Sequence, residues 1–92
     1  MASPLAIELH LPPALRALFP GSPPMLEVEA ATIDEAIHAL DRQWPGMRDR
    51  LCDSTPRIRQ HINVFIEGRR AALETPLQPG AVIHIMIAMR GG

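Results

Sequence analysis

Few residues of this sequence have the type and spacing to carry chemistry. One cysteine, Cys52, and four histidines, His10, His38, His61 and His84, are the candidate ligands and nucleophiles. The histidines are not spaced like metal ligands, either with Cys52 or with one another, so no metal is expected and they read as surface or structural groups. Cys52 has no sequence partner arranged to activate a thiolate and reads as a partly buried, inert thiol. Arg48, Arg50, Arg57, Arg59, Arg69 and Arg70 are interspersed with acids and read as a solvated face. Neither a phosphate-cradling loop nor a catalytic triad is present, which leaves an independent enzyme as the least supported class. The remaining feature is Gly91-Gly92, the last two residues. Lacking a Cβ, they reach backbone angles closed to other residues and pass where a side chain would clash.

The elements that must present this tail are limited by size. A chain of 92 residues with one Trp, two Phe and no Tyr has room for a single domain, residues 1–92, with residues 88–92 as its tail. Its core must come from Ile, Leu, Val, Met and Ala, and a deep enzyme pocket is not expected. A formal net charge of −1 offers neither a nucleic-acid footprint nor a polybasic membrane stripe. One cysteine forms no internal disulfide, Met1-Ala2-Ser3-Pro4 lacks the pattern of a targeting leader, and Ala81–Met89 is too short to span a bilayer. The expected protein is soluble and cytoplasmic, with protein or small-molecule partners.

Leu5, Ile7, Leu9 and Leu11 alternate with Ala6, Glu8 and His10, predicting a strand with its odd positions buried. Pro12-Pro13 ends it, Ala14 to Phe19 suit a helical turn, and Met25 to Glu29 read as a second strand returning antiparallel. Thr32 with Glu35 forms a capping box, and Asp34 adds favourable charge at the same helix start. Ile33, Ala36, Ile37, Leu40 and Trp44 then make one apolar stripe, with Glu35, His38, Asp41 and Arg42 facing away. Trp44 is therefore read as core packing. Pro45-Gly46 stops the helix, Met47 to Leu51 allow a further turn, and Asp53-Ser54-Thr55-Pro56 opens a loop.

Ile62, Val64 and Ile66 predict a third strand ending at Gly68, with its even positions buried. Pro79-Gly80 turns the chain into a last strand with Ile83, Ile85, Ile87 and Met89 inward and Val82, His84, Met86 and Ala88 outward. The apolar run Val82 to Ala88 suits a central strand, beside the first. Together these elements predict an α+β fold: a four- to five-stranded mixed sheet packed on one main helix.

The segment Leu73-x-Thr75-Pro76-Leu77-x-Pro79-Gly80-x-Val82-x-x-Ile85, followed by Gly91-Gly92, resembles the sulfur-carrier branch of the ubiquitin-like β-grasp fold. That branch includes the molybdopterin synthase small subunit and the thiazole-synthesis carrier. The likeness extends to Ile62-Asn63-Val64-Phe65-Ile66, to Thr32-x-Asp34-Glu35-Ala36 and to Pro45-Gly46-Met47-Arg48, and so covers nearly the whole chain.

The resemblance implies a flexible Gly-Gly tail and a carrier that is not itself an enzyme. Gly92 would carry an acyl-adenylate and then a thiocarboxylate, while Gly91 supplies clearance. An adenylating partner would use the ATP, no cofactor would be bound stably, and a sulfur-acceptor enzyme or synthase large subunit would take the sulfur. The product would be molybdopterin, thiazole or cysteine. Phe65 and Met86, outward by strand alternation, are candidate partner contacts together with Ala88, Met89 and Arg90. The ending Arg90-Gly91-Gly92 also permits a protein modifier joined through Gly92 to target lysines. A noncovalent β-grasp subunit is the third reading.

Overall fold

A computed structural model describes residues 6–55 and 57–87. The expectations placed on Leu5, Pro56, Ala88 and Met89 lie outside them. The chain opens with strand β1 (Ala6–His10), a short helix α1 (Pro13–Leu18) and strand β2 (Met25–Glu29). Ile7, Leu9 and Leu11 are buried, as their alternation requires. Proline at the first turn of α1 loses no hydrogen bond there, and Leu15 anchors the helix in the core. β2 returns antiparallel, pairing Val28 with Ile7.

The main helix α2 (Ile33–Gln43) begins with the expected capping box. Thr32 Oγ1 accepts the Glu35 N–H at 3.2 Å, and Glu35 Oε1 accepts the Ala31 N–H at 3.0 Å. The first two helical N–H groups are satisfied from far along the chain, Ile33 by the Thr75 carbonyl at 3.2 Å and Asp34 by the Leu73 carbonyl at 2.9 Å. Leu77 N–H in turn reaches the Ala31 carbonyl at 2.8 Å. The segment Leu73 to Leu77 is therefore a brace that caps α2.

Ile33, Ala36, Ile37 and Leu40 are buried on the inner stripe, joined by Ala39, and Trp44 packs half-buried against them. Asp41 departs from its expected place on the outer, solvated face. It is half-buried, and its Oδ1 accepts the backbone N–H groups of Gly46 at 3.1 Å and Arg48 at 3.0 Å. The corner needs that acceptor because Gly46, at φ 99°, turns the chain sharply into helix α3 (Met47–Leu51) and leaves those donors without helical partners.

Strand β3 (Ile62–Ile66) buries Ile62 and Val64. Glu67 and Gly68, both in the left-handed region at φ 50° and 82°, turn it into a two-residue strand β4 (Arg69–Arg70). The sequence pattern did not predict β4, since two residues show no alternation. Ala81 N–H closes a turn on the Gln78 carbonyl at 3.0 Å, with Gly80 at φ 80°, and the chain enters β5 (Val82–Ile87).

The sheet order is β2-β1-β5-β3-β4, with β1 and β5 parallel and the other neighbours antiparallel. Ile7, Leu9, Val28, Ile62, Val64, Ile83 and Ile85 form one core with the apolar stripe of α2 and with Met47 and Leu51 of α3. Each fully buried aliphatic side chain there contributes roughly 1.5–3 kcal/mol relative to exposure. The mixed five-stranded sheet on one main helix matches the expected fold, with the first and last strands side by side and β5 in the middle.

Candidate functional site

Strand register assembles the face of the sheet turned away from α2. In β1, Ala6, Glu8 and His10 alternate with the buried residues; in β5, Val82, His84 and Met86 do the same; in β3, Asn63 and Phe65. His10 stands opposite Met25 on one side and His84 on the other, His84 opposite Phe65, and Phe65 opposite Arg70. Met25, His10, His84, Phe65 and Arg70 thus form one row across all five strands.

The two histidine rings in this row are stacked, with centroids 4.4 Å apart and planes 21° from parallel. His10 Nε2 also lies 2.6 Å from Glu8 Oε2. Met86 stands one step further along β5, opposite Asn63 and diagonal to Phe65. Met86 is 52% exposed and Met25 46%, while Phe65 is half-buried. The structure therefore brings Phe65 and Met86 together on the expected face and adds His10, His84 and Met25 to them. His10 and His84 were legible as outward positions on strands expected to be neighbours, whereas the face of Met25 and the row itself were not, because a row requires the register.

Ile87 pairs with Ile62 at the start of β3 and borders an open depression. His10, Pro12, Pro13, His84, Met86 and Ile87 are among the residues that line it. The tail positions Ala88, Met89, Arg90, Gly91 and Gly92 lie outside the described residues.

The other groups with chemical potential stand elsewhere. Cys52 is buried after α3, and burial pushes its thiol pKa up despite the opposing field of Arg48. Asp53 is held below the usual carboxylate range by the Thr55 hydroxyl and by the backbone N–H groups of Thr55 and Arg57, which makes it a loop acceptor. Among the described residues, no group of three or more His, Cys, Asp or Glu side chains is arranged to hold a metal ion, and no helix is long and apolar enough to cross a membrane.

A five-stranded mixed sheet of this order packed on one main helix defines the ubiquitin-like β-grasp fold. No protein-family model matches the chain, and no curated protein matches its sequence. Solved structures do. SAMP1 from Haloferax volcanii is 27% identical, with 95% of this chain and 99% of that one aligned at a TM-score of 0.79. A chain of the Amycolatopsis orientalis BexX/CysO complex is 24% identical over 94% of this chain and 99% of its own, with a TM-score of 0.83. CysO from Mycobacterium tuberculosis is 19% identical over 90% and 99%, with a TM-score of 0.80. A second Haloferax volcanii structure, that of small archaeal modifier protein 1, is 25% identical at a TM-score of 0.76, and together these neighbours bear out the resemblance to the ubiquitin-like sulfur-carrier family.

Proposed function

We propose that this chain is a cytoplasmic sulfur carrier whose Gly92 carboxyl is the working group. An activating enzyme attacks the α-phosphate of ATP with that carboxylate and releases pyrophosphate. A sulfur nucleophile then displaces AMP from the acyl-adenylate, so that a C–S bond replaces the C–O bond and leaves a thiocarboxylate. A second enzyme takes the sulfur for molybdopterin, thiazole or cysteine synthesis, or this chain serves as the small subunit of such a synthase.

The observation that carries this reading is Gly91 and Gly92 four and five positions after Ile87, the last residue of the central strand β5. A rigid sheet would present two residues without side chains to a narrow active site, and glycine at both positions allows the backbone to pass. Phe65 and Met86, with Ala88, Met89 and Arg90, would hold the partner while the carboxyl is threaded in. One structural neighbour belongs to a complex with a second protein, BexX, which supports a protein partner here as well. The ATP would belong to the partner, and this chain would bind no cofactor of its own.

Intact-mass spectrometry of the untagged chain, after incubation with an activating enzyme, ATP and a sulfur donor, tests the proposal. Exchange of one oxygen for sulfur, absent from a chain lacking Gly92, is the expected result. No exchange with several competent activating enzymes would overturn it. The same spectra show whether Gly92 presents a free carboxyl, which the chemistry requires.

A further inference from the structure

Charge is unevenly spread on the open face of the sheet. In the β1–β2 ladder Glu8 stands directly opposite Glu27, and Glu29 lies one outward step further along β2. Partners in such a ladder hold their Cβ atoms about 5 Å apart, and like charges placed there repel. Among the described residues no arginine pairs with Glu8, Glu27 or Glu29; Glu8 meets only the His10 ring. At the opposite edge Arg70 closes the row beside Phe65. Between these ends lie Val82, His84, Phe65 and Met86. Three large apolar side chains are exposed among the described residues, Leu18, Met25 and Met86, and two of them lie on this face.

The face therefore runs from acidic at β1 and β2, through the stacked histidines and the apolar side chains of Val82, Phe65 and Met86, to basic at β4. We infer that the protein partner docking here presents a lysine or arginine against the Glu8–Glu27 pair, an apolar centre against Phe65 and Met86, and a carboxylate against Arg70. This rests on the carrier reading above, with the activating enzyme as the partner. A cation set between the two glutamates relieves a repulsion that the free chain carries, while the buried apolar centre supplies most of the affinity. The gradient runs across the strands, so it fixes the partner's rotation about the sheet normal. That rotation decides where the chain beyond Ile87 enters the partner.

The experiment measures the KM of the chain in adenylation, read as pyrophosphate release, with an activating enzyme that loads sulfur onto the wild type. Glu27→Gln removes one repelling charge and one docking charge. Its free chain is expected to melt at a higher temperature than wild type while its KM rises about two- to fivefold, the worth of one exposed ion pair. Arg70→Gln is expected to raise KM to a similar degree, and both differences close as salt is added. Met86→Ser and Phe65→Ser raise KM with little salt dependence.

If Glu27→Gln and Arg70→Gln keep the wild-type KM while Met86→Ser raises it, the face docks without charge matching and the inference is overturned. A Glu27→Gln chain less stable than wild type gives Glu27 a structural role and overturns it too. Unchanged KM in all four variants removes docking from this face. A wild-type chain that loads no sulfur removes the carrier reading itself.

Discussion

Leu9 and Ile83 face each other across the parallel β1–β5 ladder, at 1% and 0% exposure. This contact seats β5 between β1 and β3, at the centre of the sheet. Ile83→Ala removes buried carbon from a position with no solvent side to relax into. A loss of roughly 2–5 kcal/mol is expected from such a cavity, measured by urea unfolding. A loss below ~1 kcal/mol would mean that the pair is not central to the core.

The β3–β4 turn holds Glu67 at φ 50° next to Gly68 at φ 82°. Two successive left-handed residues suit Asn-Gly, and glutamate gains nothing there from a short local hydrogen bond. Glu67→Asn should raise stability by about 0.5 kcal/mol, seen as a higher melting temperature. A lower melting temperature would show that Glu67 makes a contact worth more than the strain.

Cys52 is buried at 3% exposure, and its pKa lies above the ordinary thiol value because burial disfavours the thiolate. At neutral pH the folded chain should therefore resist iodoacetamide, and urea should release full labelling. Reactivity rises only as the pH approaches the raised pKa, since the thiolate is the attacking species. Rapid labelling of the folded chain at neutral pH would contradict this placement.

All nine basic side chains are arginine and the sequence contains no lysine. Guanidinium stays protonated and does not attack an acyl-adenylate, so an activated Gly92 meets no nucleophilic side-chain amine on a second copy. Activation of the chain alone should give no self-linked ladder through lysine on denaturing gels. Arg70→Lys places an amine on an exposed edge strand, and a dimer band appearing with that variant is the expected contrast.

How much of the protein was legible in its sequence divides along physical lines. Period-two alternation marked Ile7, Leu9, Val64, Ile83 and Ile85 as core, because a pleated strand sends neighbouring side chains to opposite faces wherever it packs. Thr32 and Glu35 announced the start of α2 because a cap needs only bonds made within a few residues. The same alternation put Phe65 and Met86 on the open face.

Interactions between distant segments were decided by tertiary structure. Asp41 became a corner acceptor because the turn at Gly46 brought two N–H groups to it. The segment Leu73 to Leu77 became a helix cap because the chain folds back over Ala31 to Asp34. Residues 10 and 84, far apart in the chain, came into ring contact through the β1–β5 register. The sequence by itself determined which residues face inward, where α2 begins and that two glycines follow the last strand. The row Met25, His10, His84, Phe65, Arg70 and the facing glutamates Glu8 and Glu27 were set by the folded chain alone. Alternation reports only the face a side chain takes, whereas its neighbour across the ladder depends on the register in which whole strands pack.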